Sequence, residues 1–285
     1  MSIKNKPYLI IGLDPEKYEI FDKRIMKPIT YQLSFEEERV EGSMVSQIID
    51  DVQIGKKKLE YCMPNSVGIL LSVAKKANEQ AKIYFKEHFE EIEQSNVAKE
   101  DKIQILKRKS TEVCDYIELI QSSIVFSYTS LEAFSNLSIP ENYSYTQKVK
   151  SKGIEERYDK EAIEKWINLT TKLNIILPAI YKTKKLQETN LWSYFTKLEK
   201  LRHEIIHQKS IDRTEFYKVY FNRDIFKVSN IGEDIINYFY ENQKLNMLNP
   251  LWPWVVGEKK EFPIFKADPK KFEVVGNIHE GIKKK

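Results

Sequence analysis

Between Ile69 and Ile139 apolar residues recur every three or four positions, and no glycine or proline interrupts them. That spacing matches the 3.6-residue period of a helix whose one face is buried. Ile69, Val73, Ala77, Ala81, Tyr84, His88 and Ile92 trace a first stripe, and Ser95 with Asn96 offers a break and a fresh N-cap. Val113, Ile117, Ile120, Ile124, Leu131 and Phe134 trace a second, longer stripe that stops near Pro140. After a loop around Gly153, the pattern predicts a third helix from Asp159 toward Lys185, kinked at Pro178. A fourth starts at Thr189 or Asn190 and buries Leu191, Phe195, Leu198 and Ile205, and a further helix falls near Glu233 to Asn242. Helices joined by short or moderate connections imply a mainly α protein built on an antiparallel four-helix bundle.

The flanks follow a different rhythm. Ile29, Tyr31, Leu33 and Phe35 alternate with Thr30, Gln32 and Ser34, the period of a half-buried strand, and Tyr8 to Leu13 is a short apolar run of strand length. Gly12, Pro15, Pro28 and Gly42 punctuate this region. The tail carries Pro250, Trp252, Pro253, Trp254 and Pro263, too many prolines for a helix, and ends in Lys283, Lys284 and Lys285. The expected organisation is a small β-containing N-terminal unit over 1–62, a helical bundle over 63–245 and an irregular or short-stranded C-terminal tail over 246–285.

Composition narrows the class. Of 285 residues, 41% are hydrophobic and 31% charged, enough apolar material for a core and not the composition of a disordered chain. No run has the length and apolarity of a membrane span, and the N-terminus has no secretory signal pattern. The two cysteines, Cys62 and Cys114, stand in no CxxC or Cys/His spacing, so neither a disulfide framework nor a cysteine zinc site is expected. Together these features predict a cytoplasmic protein without a membrane partner. The net charge of +4 permits a nucleic-acid ligand without demanding one.

Chemistry concentrates in Arg202-His203-Glu204-Ile205-Ile206-His207 on the fourth helix. An arginine five places before a histidine arises by chance about one time in ten at this composition, so the pair alone says little. Its setting says more. Arg202 is followed by the polar His203, and the second helix carries Tyr128-Thr129-Ser130-Leu131-Glu132-Ala133-Phe134-Ser135-Asn136. Over roughly residues 64–210 this combination resembles the HEPN family: an arginine, then Asn, Asp or His, three residues and a histidine on a late helix, with an acidic residue in a Leu-Glu-Ala stretch on an earlier one.

The resemblance implies an all-helical bundle that dimerises so that two Arg/His pairs share one cleft, and a metal-independent endoribonuclease with no cofactor. In that scheme the RNA supplies its own 2′-hydroxyl as nucleophile. His207 moves protons near neutral pH, Arg202 holds the phosphate, Glu132 orients one of them and His203 helps position substrate. The products would be a 2′,3′-cyclic phosphate and a 5′-hydroxyl, and DNA would be spared. Residues five apart on a helix point about 140° from each other, a further reason to expect a homodimer. The nearby Lys182, Lys184, Lys185, Lys197, Lys200 and Lys209 are candidates for the RNA backbone, though most are as readily a solvated face. Family members of this kind are often toxins or antiviral-defence effectors with an antitoxin or defence-system partner. The subgroup paired with a nucleotidyltransferase antitoxin has Tyr two residues after the motif histidine, where this chain has Lys209.

The same six residues spell H-E-x-x-H, the helix motif of zinc peptidases. His203 and His207 would be ligands at i and i+4, with Glu204 as general base. By composition that string is the rarer one, arising on the order of one time in two hundred. A catalytic zinc needs a third protein ligand. The metzincin extension fails at Ser210 and Arg213, and a downstream carboxylate would have to be Glu233 or Glu241, neither in the surroundings a thermolysin-like site provides. A third possibility is a HEPN-like bundle that binds nucleic acid or a protein partner without cutting.

Overall fold

The computed structural model describes residues 8–13, 22–26, 29–33, 43–90, 99–149, 153–207, 213–243, 264–267, 274–277 and 281–282. The protein is mainly helical, and its chain divides into two compact units: 1–69 with 246–285, and 70–245. No helix among the described residues is long and apolar enough to cross a membrane.

The first unit is a sheet assembled from both ends of the chain. Strands β1 (Tyr8–Leu13), β2 (Ile29–Leu33), β3 (Ser43–Ile54) and β4 (Lys57–Cys62) come from the N-terminal part. The two runs expected to be strands are β1 and β2, with Phe35 outside the described residues. The sheet reads β7-β2-β3-β1-β8-β9, with β4 joined to β3, where β7 is Ile264–Ala267, β8 Val274–Asn277 and β9 Gly281–Ile282. β7 runs parallel to β2 and β8 parallel to β1. The tail, expected to be irregular or short-stranded, supplies short strands that join the N-terminal sheet. The tail prolines and Trp252 and Trp254 lie outside the described residues. Asn65 starts the first helix, its side-chain oxygen accepting from the N–H groups of Val67 and Gly68 at 3.1 and 3.2 Å.

The second unit contains most of α1 (Ser66–Phe89) and all of α2 (Lys99–Leu137), which at 39 residues is about 58 Å long. The expected break at Ser95 and Asn96 lies outside the described residues. From α2, Ile120, Ile124, Leu131 and Phe134 are buried as the stripe predicts, while Val113 and Ile117 are half-buried. A hairpin follows, β5 (Tyr145–Val149) against β6 (Ile154–Tyr158), where a loop was expected. Gly153, at φ +62°, supplies the left-handed residue of its turn.

The single kinked helix expected from Asp159 to Lys185 is two segments. Asp159 caps α3 (Lys160–Trp166) by accepting from Ala162 N–H. Ile167 and Asn168 are then extended, and the Asn168 side chain accepts from Thr171 N–H at 2.8 Å, starting a fresh turn, α4 (Leu169–Thr171). That cap, not Pro178, is where the helix breaks. Ahead of Pro178, which has no N–H for the ladder, the chain widens into a π turn over Lys172–Ile176, with Leu177 N–H reaching the Lys172 carbonyl. α5 (Leu177–Tyr181) stops at Lys182, the one non-glycine residue of positive φ among those described.

Thr189 Oγ1 accepts from Leu191 N–H where α6 (Leu191–Ile206) begins, and Phe195, Leu198 and Leu201 line its buried face. After α7 (Arg213–Lys218) and a 3-10 turn at Val219–Phe221, α8 (Ile225–Asn242) contributes Val228, Ile231, Ile235, Ile236 and Phe239 to the core. It begins eight residues earlier than its expected start. α2 packs against both α6 and α8, which also pack against each other, and α8 further meets α5. Each fully buried Ile, Leu or Phe contributes about 1.5–3 kcal/mol. Small residues let α2 and α8 approach closely: a methyl built on Gly232 would meet Ser127 Oγ at 2.7 Å and the Ser127 carbonyl oxygen at 2.9 Å.

Candidate functional site

Tyr128, Glu132 and Asn136 recur every fourth residue on α2, so they form one polar stripe along the helix. The side chains opposite come from α4, the π turn and α6. Thr170 donates its hydroxyl to Glu199 at 3.0 Å, and Tyr128 O–H reaches the same carboxylate at 3.4 Å. Three residues beyond Glu199, the Arg202 guanidinium carbon lies 4.9 Å from the centroid of the Tyr128 ring, in cation–π contact. Phe195, two turns earlier on α6, stacks on that ring at 6.5 Å, and Trp192 stacks on Phe195 at 5.3 Å. Tyr128 is therefore a rigid shelf. Burial, reinforced by the Glu199 carboxylate, drives its hydroxyl pKa far above the ordinary phenol value.

Lys172 is only 5% exposed, and the π turn aims its ammonium at two acceptors, Asn136 Oδ1 at 2.8 Å and the Glu164 carbonyl at 3.1 Å. Burial pulls its pKa below the usual lysine value, with Glu132 and Glu164 opposing the shift. Glu132 is half-buried, and burial raises its carboxyl pKa against the opposing pull of Arg202 and then Lys172. Glu132 makes no hydrogen bond to a described residue, so its influence on Arg202 is electrostatic. The Arg202 guanidinium forms neither hydrogen bond nor ion pair with a described residue, and its N–H groups remain available to an anion.

The two histidines stand on the other side of α6. His207 is the C-cap, φ −113° and ψ 55°, with its N–H bonded to the His203 carbonyl at 2.9 Å. Both imidazoles are exposed, 4.7 Å apart between centroids. Arg202, by contrast, is half-buried, and on a helix it points about 140° from position 207. The structure thus brings Arg202 together with Glu132, and His203 together with His207, on different faces of one helix end.

In the zinc alternative the two histidines stay side by side, but no third ligand joins them among the described residues. Glu204 lies 4.0 Å from Lys200, and Glu233 pairs with Lys75 of α1 at 3.5 Å. Among the described residues no group of three His, Cys, Asp or Glu stands close enough to hold a metal. Lys182, Lys184, Lys185, Lys197 and Lys200 are exposed, Lys197 being 3.7 Å from Asp224; Lys209 lies outside the described residues.

Sequence reasoning assigned no role to Tyr128, Asn136, Thr170, Lys172 or Glu199. The four-residue recurrence on α2 and the Glu199/Arg202 spacing were readable signals. Lys172 had none, because its inward aim depends on the π turn. Compared with known protein families, curated proteins and solved structures, the chain has a significant match to none.

Proposed function

We propose that the protein is a HEPN-like, metal-independent endoribonuclease whose active site is completed by a homodimer. The observation that carries this is Arg202: a guanidinium fixed on the Tyr128 ring, with no ion pair to a described carboxylate, at the same helix end as two exposed imidazoles. An arginine prepared in this way suits a phosphodiester, which it can grip through two N–H groups as charge builds on the non-bridging oxygens.

The RNA 2′-hydroxyl attacks the adjacent phosphorus and the 5′-oxygen leaves, giving a 2′,3′-cyclic phosphate and a 5′-hydroxyl. His207 exchanges the protons of this step, with His203 beside it to hold substrate. Because Arg202 and His207 of one protomer face apart, a second protomer supplies the complementary member of each pair. Glu132 tunes the field at Arg202, and Lys172 offsets the Glu132 charge so that Arg202 stays free for the substrate. A role as a toxin or defence effector, with an antitoxin or defence-system partner, follows by resemblance.

The test is cleavage of a mixed RNA substrate in excess EDTA by wild type, Arg202→Ala and His207→Ala. Cleavage that survives EDTA, yields cyclic-phosphate ends and disappears in both variants is expected. No cleavage, together with stoichiometric zinc in the purified protein, would replace this with a hydrolase built on His203, Glu204 and His207. Neither cleavage nor zinc would leave a binding module.

A further inference from the structure

The β3–β4 hairpin has no part in the chemistry proposed above, but its surface can join the two copies that this chemistry calls for. Residues 51–60 are exposed throughout. Val52 and Leu59 are direct cross-strand partners and Ile54 stands on the same face, 41%, 50% and 60% exposed. Asp51, Gln53, Lys58 and Glu60 occupy the opposite face, where the Lys58 ammonium is 3.1 Å from both Asp51 and Glu60. One face of the arm is thus an ordinary solvated surface, and the other carries Val52, Ile54 and Leu59 between Lys57 and Asp50. A two-stranded hairpin of this kind gains little stability alone and more when its sheet is extended.

The outer edge of the arm is open, since among the described strands β4 pairs only with β3. Ile54 and Lys57 close the two-residue turn Gly55-Lys56, with Gly55 at φ +60°. In such a hairpin the closing pair is hydrogen-bonded, and bonded pairs then alternate along the strands. Leu59 and Tyr61 therefore bond inward to β3, while the N–H and C=O groups of Lys58 and Glu60 point outward, unclaimed by β3.

We infer that this edge is a docking surface for a second copy of the chain, joined antiparallel β4 to β4 about a two-fold axis at Leu59. That register is selected by the charges. It sets Lys58 of one copy opposite Glu60 of the other, twice, and both are residues whose backbone groups point outward, so each pair is also hydrogen-bonded. Leu59 meets Leu59 at the axis. The row Val52, Leu59, Leu59, Val52 then runs unbroken across the Val52 face of a four-stranded sheet. Lys57 falls opposite Tyr61, an ammonium beside an aromatic ring. The neighbouring centres lose this match: an axis at Lys58 or at Glu60 would set that residue opposite its own copy, like charge against like charge.

Sedimentation velocity across micromolar concentrations on the full chain, with charge variants, tests the register. Lys58→Glu or Glu60→Lys alone puts like charges opposite each other and weakens the dimer about tenfold or more. The double variant K58E/E60K restores opposite charges and with them the dimer. Independently, Leu59→Cys places two thiols across a non-hydrogen-bonded pair, about 4.5 Å apart at Cα. It crosslinks under mild oxidation, whereas the wild type and Lys57→Cys do not. A monomer at all concentrations overturns the inference. So does a dimer indifferent to the single reversals, a swap that fails to restore association, or absence of the Leu59→Cys crosslink. A dimer that survives the reversals and still cuts RNA would leave the ribonuclease proposal standing while removing this one; loss of RNA cleavage alone would do the converse.

Discussion

Replacing Gly232 by alanine sets two effects of opposite sign against each other. Gly232 lies inside α8, where alanine favours the helix by about 1 kcal/mol. The added methyl, however, would stand 2.7 Å from Ser127 Oγ and 2.9 Å from the Ser127 carbonyl oxygen, well inside the ordinary contact distance of about 3.5–4.0 Å. The serine hydroxyl can rotate away. The carbonyl belongs to α2 and can retreat only if the two helices part. Overpacking of this sort costs about 1–3 kcal/mol. Separation also strains the bond from Gly232 N–H to Ser127 Oγ, 3.2 Å long and buried, worth about 1 kcal/mol. The net expectation is a destabilisation of about 2 kcal/mol, or roughly 4–8 °C in melting temperature for a unit of this size. Thermal and urea unfolding followed by helical circular dichroism measure it. Adding Ser127→Ala should recover less than half of the loss, because it clears the hydroxyl and leaves the carbonyl. Gly232→Ala melting at or above wild type would show that propensity outweighs the contact and that α2 and α8 are not so close as described.

Tyr128→Phe keeps the shelf under Arg202 and loses one 3.4 Å hydrogen bond, so RNA cleavage in EDTA should stay within about threefold of wild type, whereas Tyr128→Leu, which removes a cation–π contact of about 0.5–2 kcal/mol, should lower it severalfold at unchanged fold content by circular dichroism. Equal losses in the two variants would remove the shelf from the mechanism. The depressed pKa of Lys172 makes a signed pH prediction: between its folded value and the ordinary lysine value of about 10.4, the unfolded chain binds a proton that the folded chain has released, so stability rises with pH across that interval. Lys172→Met should abolish this component in urea titrations from neutral to alkaline pH, and an unchanged slope would show that the ammonium is not held in a dehydrated setting.

Local periodicity reports which residues share a face, and in this chain it was informative wherever a helix lies against a core. The stripe ending in Leu131 and Phe134, with Phe195 and Leu198, sits where spacing put it, while Leu191 and Ile205 are only half-buried and Leu201 takes the buried place. Partners distant in sequence are different. The parallel pairing of β8 with β1 and β7 with β2 spans most of the chain, and such strands carry no mark of which edge they will join. The break at Asn168 depends on one side chain choosing a backbone N–H three residues ahead, in a stretch that is otherwise acceptable helix. At the candidate site, Arg202, His207 and Glu132 were visible as chemistry-bearing types in a motif. Tyr128 became meaningful only when folding placed it under an arginine 74 positions later.

The π turn before Pro178 is, in helical terms, one residue more than the length of the segment requires. It acts as a phase shifter. Residues before it and after it belong to helices whose angular registers differ by about 100°, so Lys172 can face the α2 stripe while Ile176, Leu177 and Ile180 still face the core. Removing one residue from the turn, the exposed Ile175 for instance, would yield a more regular helix. It would also rotate Lys172 away from Asn136 and leave Glu132 without its buried counter-charge. The surplus residue thus allows one short stretch of chain to satisfy two surfaces that an ideal helix could serve only one at a time.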